Sequence, residues 1–202
     1  MIGIIDYGMG NLRSVQKAFE FIGQEAVISS DPEVLKQADK VVLPGVGAFA
    51  EAMENLRSTK LIDVVYDAIE RKKPFLGICL GMQLLFDCSQ EGGNVQGLGI
   101  IKGEVVKFDL PKEYKVPHMG WNALSFRDCY LWDGIEGGAH TYFVHSYYVK
   151  PTDDEVVAAT ADYGMPFTAA IHRGNIFATQ FHPEKSGEVG LAMLKNFTEV
   201  TA

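Results

Sequence analysis

Positive charge is scarce in this 202-residue chain: 18 Lys plus Arg stand against 26 Asp plus Glu, a formal net charge of −8. No basic face is available to neutralise a phosphate backbone, which argues against nucleic-acid binding. Cysteine is also sparse. Cys79, Cys88 and Cys129 are an odd count with no CxxC pair, which argues against a disulfide framework and predicts a reducing, cytoplasmic setting. The longest nearly apolar run, Phe75 to Phe86, is interrupted by Gln83 and is too short to span a bilayer. The opening residues, Met-Ile-Gly-Ile-Ile-Asp, have no basic n-region and no long apolar stretch, so no signal peptide is expected. There is no linker, repeat, P-loop or G-x-G-x-x-G, and Gly8-Met9-Gly10 fails as a dinucleotide fingerprint because position 13 is Arg. The five histidines show no HxxxH or Cys-paired spacing, so neither a metal nor a cofactor is expected.

What is present is ordinary globular material. At 47% hydrophobic and 22% charged residues, the chain reads as one domain, residues 1–202, with a full core. Its first half alternates short apolar runs with helical patterns. Ile2 to Ile5 predicts a strand, and Leu12, Val15, Phe19 and Ile22 recur at helical spacing before Gly23. Ala26 to Ile28 predicts a second strand, and Asp31-Pro32 opens a short helix with a good cap. Val41 to Leu43 predicts a third strand broken by Pro44-Gly45-Val46-Gly47. A helical stretch follows over residues 49–72, with a break near Ser58-Thr59. Phe75 to Cys79 predicts a fourth strand, running into a helix that ends near Phe86. Strands too apolar to have a wet face imply an α/β fold, an open and mostly parallel sheet covered by helices. From Gly99 the texture changes to short alternating segments: Glu104 to Phe108, Thr141 to Val149, Val156 to Ala161, Phe167 to His172 and Ile176 to Phe181. These predict a β-rich, mostly antiparallel second half, closed by a helix over Gly187 to Val200.

Chemistry concentrates at one strand end. Gly77-Ile78-Cys79-Leu80-Gly81 sets a cysteine between a buried strand and a helix, with glycine two positions to either side. This is the G-x-nucleophile-x-G elbow, with Cys in place of Ser. A sharp turn lifts the side chain above the sheet, and the glycines let neighbouring backbone pass without Cβ clashes. The helix N-terminus favours the thiolate, and the Leu80 N–H is a candidate oxyanion donor. The bland alternative is a buried structural cysteine. Against it stands Gln180-Phe181-His182-Pro183-Glu184 after a strand, where residues i and i+2 of an extended segment point the same way. His182 as base and Glu184 as its orienting acid would complete a Cys–His–acid triad. Pro44-Gly45-Val46-Gly47 also leaves the carboxyl end of a predicted parallel strand, where ligands bind in such sheets.

Together, Gly77-Ile-Cys79-Leu-Gly81-Met-Gln83, Pro44-Gly-Val-Gly47 and His182-Pro-Glu184 resemble the class I triad glutamine amidotransferases. More narrowly, Asp6-Tyr-Gly-Met-Gly-Asn11, Pro117-His-Met-Gly-Trp-Asn122, Phe143-Val-His-Ser-Tyr147 and Lys185-Ser186 are similar to the glutaminase subunits of imidazole glycerol phosphate synthase. The likeness spans residues 2–186 and departs at no triad position. It implies a flavodoxin-like amidotransferase fold and a glutaminase in which Cys79 attacks the glutamine amide, His182 moves the proton and Glu184 orients the imidazole. Gly45, Val46, Gly47, Leu80, Gln83, Ser146 and Tyr147 are then expected around the substrate and its oxyanion. Gln83 has apolar neighbours, and a buried glutamine needs polar partners. The resemblance further implies a (βα)8-barrel cyclase partner in a 1:1 heterodimer, consuming the ammonia to make imidazole glycerol phosphate in histidine biosynthesis. Asn11, Met119, Trp121, Tyr142 and Lys185 are expected on the partner side. Another glutaminase of the same class, a cysteine peptidase and a non-catalytic scaffold are the rival readings.

Overall fold

The computed structural model describes residues 1–201. In chain order its first elements are β1 (Ile2–Ile5), α1 (Leu12–Phe21), β2 (Ala26–Ser29), α2 (Pro32–Gln37), β3 (Lys40–Gly45), α3 (Phe49–Ser58), α4 (Ile62–Glu70), β4 (Phe75–Cys79) and α5 (Leu80–Gln83). There follow β5 (Phe86–Ser89), β6 (Val95–Gln96), β7 (Ile101–Lys107), β8 (His118–Ala123), β9 (Ser125–Phe126), β10 (His140–His145) and β11 (Tyr147–Pro151). The chain closes with β12 (Val157–Asp162), β13 (Pro166–Arg173), β14 (Ile176–Thr179) and α6 (Gly187–Glu199).

The main sheet has eight strands in the order β2-β1-β3-β4-β14-β13-β12-β9. Its first five members run parallel, and the last three pair antiparallel. Alternation along the parallel strands divides the core between two faces. Ile4, Val42, Leu76 and Phe177 pack with Val15 and Phe19 of α1 and with Met193 and Phe197 of α6. Ile5, Leu43, Phe75 and Ile176 pack with Leu35 of α2, Met53 and Leu56 of α3, and Val64 and Val65 of α4. Both faces are covered, as the continuous apolar strands require. Asp31 caps α2 by accepting from the Glu33 N–H at 2.9 Å, with Pro32 at the first helical position.

Two smaller sheets accompany the main one. One is the antiparallel pair β10-β8, and the other is four-stranded in the order β11-β7-β5-β6. Among the described residues, no helix is long and apolar enough to cross a membrane.

Several expectations are corrected here. The segment from Ile176 pairs antiparallel with β13 on one side but parallel with β4 on the other, in the middle of the main sheet. Its full burial on both faces suits that interior position. The stretch Thr141 to Val149 is two strands, β10 and β11, which pair with β8 and β7 in different sheets across a break at Ser146. The helix after Cys79 stops at Gln83 rather than near Phe86, because Phe86 to Ser89 is taken into pairing with β7 and β6. Strand β3 runs on through Pro44-Gly45. Its register with β1 ends at Val42, so Pro44 sits where the strand keeps only β4 as a neighbour, a position that tolerates a missing N–H.

Candidate active site

Three adjacent parallel strands, β3, β4 and β14, end at the same edge of the sheet. Gly45 is in register with Cys79 across β3 and β4, and Thr179 is in register with Ile78 across β4 and β14. The Pro44–Gly47 loop, the cysteine and the segment Gln180 to Glu184 are therefore neighbours in space.

Cys79 has φ 55° and ψ −110°, a strained left-handed-side conformation for a residue with a side chain. Packing enforces it. A Cβ on Gly81 would lie 1.8 Å from the Leu43 carbonyl oxygen, and one on Gly77 would lie 2.9 Å from the Gly81 oxygen. Backbone crosses backbone here, so the elbow requires both glycines. The one-turn length of α5 leaves it little of the macrodipole expected of a longer helix.

His182 and Glu184 meet differently from the expected extended pair. Pro183–Lys185 forms a turn of 3₁₀ helix capped by His182, and this curl brings His182 Nδ1–H to donate to Glu184 Oε1 at 2.8 Å. The proline sets φ for the turn. Both side chains are buried, with exposures of 2% and 1%. Ser186 locks the turn by donating from its hydroxyl to the His182 carbonyl at 2.6 Å and accepting from the Tyr142 N–H at 3.0 Å. Burial works against charge on His182, yet the Cys79 thiol and the Glu184 carboxylate outweigh it and hold the imidazole up at about 9. His182 Nε2 and Glu184 Oε2 are buried without a partner among the described residues, as is Tyr7 Oη. Burial, aided by the nearby Cys79, keeps that phenol protonated well above its usual range. It fills the space a Cβ on Gly45 would need, 2.5 Å away.

Cys79 and His182 face a cavity of about 240 Å³, the scale of an amino acid rather than a peptide segment. Val46, Gly47, Leu80 and Gln83 line it from the sheet edge, and Val144, His145, Ser146 and Tyr147 line it from the β10–β11 break. Gln83 is only 5% exposed, and its amide nitrogen donates to the Tyr147 carbonyl at 3.1 Å and to Gln180 Oε1 at 2.9 Å. Every substrate-side residue expected from the sequence except Gly45 thus lines the cavity, and Gly45 packs tightly against Tyr7 and Leu80, the latter a lining residue. His145 was not expected. Its Nδ1–H donates to the Tyr147 carbonyl at 2.8 Å, and burial pushes the ring down to about 3. Gln180 and Tyr7 were also missed as site members. The argument applied to Gln83, that a buried amide needs polar partners, would have found Gln180.

The expected partner-side residues are placed as follows. Met119 and Trp121 project from β8 at 62% and 53% exposure. Tyr142 is opposite Trp121 in the β10–β8 ladder, ring centroids 6.0 Å apart. Asn11 is exposed at the start of α1, and Lys185 is exposed beside Glu184. No cluster of three or more His, Cys, Asp or Glu suited to a metal occurs among the described residues.

The chain resembles known proteins over nearly its whole length. The family model for glutamine amidotransferase class-I matches residues 4–200. The chain is 55% identical to the imidazole glycerol phosphate synthase subunit HisH of Syntrophotalea carbinolica, covering 99% of this chain and all of that one. It is equally 55% identical to the subunit of that name from Rhodopirellula baltica, with 98% and 96% covered. Among solved structures, a glutamine amidotransferase superposes with a TM-score of 0.76 at 20% identity, covering 98% of both chains. PurLQS from Thermotoga maritima gives 0.75 at 21%, covering 98% and 96%. At such identities these last two speak for the fold alone.

Proposed function

The chain belongs to the class-I glutamine amidotransferase family, on the HisH branch of imidazole glycerol phosphate synthase, and from that premise we propose how its residues divide the work. Its function is that of the branch: it is the amidotransferase that supplies ammonia in histidine biosynthesis, and a second, cyclase subunit is implied. The whole chain, residues 1–202, acts as one amidotransferase domain in the cytoplasm.

Cys79 is the nucleophile. Its proton passes to His182 Nε2, and the thiolate attacks the side-chain amide carbon of glutamine. The oxyanion that forms is met by backbone N–H groups of Leu80 and of the Gly45-Val46-Gly47 loop. As the tetrahedral species collapses, the C–N bond breaks and the imidazolium returns its proton to the departing nitrogen, which leaves as ammonia. Water, deprotonated by His182, then attacks the thioester and frees glutamate and Cys79. Glu184 holds the His182 ring and balances its positive charge. Gln83, Ser146 and Tyr147 position the substrate. The observation that carries this reading is the convergence of Cys79 and His182 from neighbouring strand ends onto one amino-acid-sized cavity, with Glu184 behind His182 and bonded to its far nitrogen.

The partner is a (βα)8-barrel cyclase in a 1:1 pair, seated on the side presenting Asn11, Met119, Trp121, Tyr142 and Lys185. Turnover is low alone and rises when the cyclase holds its own ligand, which requires that ligand to favour a more competent state of this site. The test is glutamate release from glutamine by this chain, alone and with the ligand-loaded cyclase. Replacement Cys79→Ala is expected to cut turnover by about 10⁴-fold or more. Activity that survives that change overturns the nucleophile, and activity indifferent to the cyclase reassigns the partner.

A further inference from the structure

Gln180 directly follows β14, two residues before His182, and it is fully buried. Its backbone N–H donates to the Ala169 carbonyl at 2.8 Å, which ties it to the main sheet. Its side chain points the other way, between Gln83 and Cys79. The orientation of that carboxamide follows from an anchor that cannot be inverted. The Tyr147 carbonyl accepts only, so the Gln83 atom 3.1 Å from it is the nitrogen. That nitrogen also donates to the near atom of Gln180, at 2.9 Å, which is therefore the oxygen Oε1. The Gln180 amide nitrogen is left facing Cys79 Sγ, at 3.7 Å, within the reach of a hydrogen bond to sulfur.

We propose that Gln180 is a catalytic residue of this site, donating its Nε2–H to the Cys79 sulfur and stabilising the thiolate, with Gln83 as the residue that aims it. The role rests on the glutaminase reading above. Neutral thiol sulfur is a weak acceptor, whereas an anionic acceptor roughly doubles the strength of a hydrogen bond. The contact therefore strengthens as negative charge develops on the sulfur. It acts twice in the cycle. In acylation, the Sγ proton moves to His182 Nε2, the sulfur becomes anionic, and the Gln180 bond strengthens before the S–C bond forms. In deacylation, the C–S bond breaks as water's oxygen bonds to carbon, and the departing sulfur again receives the N–H. In the thioester between these steps the sulfur is uncharged and the bond is weak. Differential stabilisation of this kind accelerates a step rather than merely tightening binding.

The same geometry restricts Gln83. Both its amide hydrogens are committed, to Tyr147 and to Gln180, so only its oxygen remains to meet the substrate. Gln83 can then accept from a donor on glutamine but not donate to it. A substrate donor on that oxygen polarises the Gln83 amide, and the effect passes through Gln180 to the sulfur.

The test is the rate at which iodoacetamide alkylates Cys79, read at the Cys79 peptide by mass spectrometry so that Cys88 and Cys129 do not contribute. It is measured on the full chain with its cyclase partner, native and as Gln180→Leu and Gln180→Glu. Glutamate is isosteric and still accepts from Gln83, so that variant keeps the clamp while losing the donor. At neutral pH, alkylation is expected to fall about 10-fold in Gln180→Leu and further in Gln180→Glu. In Gln180→Glu, kcat falls while KM for glutamine stays within about 3-fold of native. Native alkylation rates in both variants, or a change confined to KM, would overturn the proposal. If Gln180→Leu does not fold, the Gln180→Glu comparison decides alone. Absence of Cys79-dependent glutamate release from the native complex would sink the glutaminase reading, and the alkylation rates would still judge Gln180.

Discussion

The cavity has two walls of different origin. One is the carboxyl edge of β3, β4 and β14, where apolar parallel strands end in strained or tightly packed backbone: Cys79 at φ 55°, Gly47 at φ 95° and the turn at Pro183. The other is the break between β10 and β11, where His145, Ser146 and Tyr147 lie over an aromatic cluster that includes Phe108, Phe143 and Phe167. Each wall carries a buried histidine, and their environments push them in opposite directions. His182 has an anion on one nitrogen and the thiol near the other, and it is held up at about 9. His145 is buried, with the Tyr147 carbonyl on one nitrogen and a second histidine, His118, 3.1 Å from the other, and it is pushed down to about 3. Burial by itself thus does not assign a histidine its role. Charge partners do. The sheet-edge wall favours a charged imidazole, and the β10–β11 wall favours a neutral one.

The comparison breaks most readily at Glu184. Glu184→Gln keeps an acceptor near His182 but removes the balancing charge, and kcat is expected to fall by about 10²–10³-fold. His145→Gln on the opposite wall should change kcat by less than about 10-fold, since that ring moves no proton. Steady-state glutamate release by the two variants distinguishes the walls, and equal losses would refute the division.

A smaller effect separates their backbones. Gly81→Ala would drive a Cβ into the Leu43 carbonyl, an atom of the central sheet that cannot rotate away. Urea unfolding should register a loss of about 3 kcal/mol or more. Gly120→Ala in β8 meets nothing within 4 Å. Its cost should be smaller and arise only from the strained φ of 153°.

The last contrast is in pH. A raised imidazole stabilises the fold when protonated, so the contribution of His182 is complete below its ordinary value near 6.5 and is lost as pH rises through about 9. A lowered imidazole favours the neutral fold, so the contribution of His145 is present above about 6.5 and is lost as pH falls toward about 3. Urea midpoints at several pH values should show His182→Gln flattening the alkaline limb and His145→Gln flattening the acid limb, each by roughly 1–3 kcal/mol. Coincident effects on one limb would contradict the opposed environments.

Much of this site was legible from the residues in order. The elbow glycines, the capped α2, the continuous apolar strands and the break near Ser58-Thr59 each follow from local sterics or periodicity, and those signals survive in any tertiary setting. The shortness of α5 was not legible, because Leu84, Leu85 and Phe86 suit a buried helix or a buried strand equally well. Pairing with β7 decides the matter. The curl at Pro183 was hidden for a related reason, since a single turn leaves no periodic trace.

By itself the sequence determined which groups can do chemistry, a cysteine on an elbow and a histidine with an acid two residues on, because those depend on residue type and short-range geometry. Only the tertiary structure decided that they meet. Cys79 and Gln180 are 101 residues apart in the chain, and their contact depends on β14 returning to lie parallel beside β4. That choice is made by long-range burial of Ile176 to Thr179 between two covered faces, which no local pattern encodes.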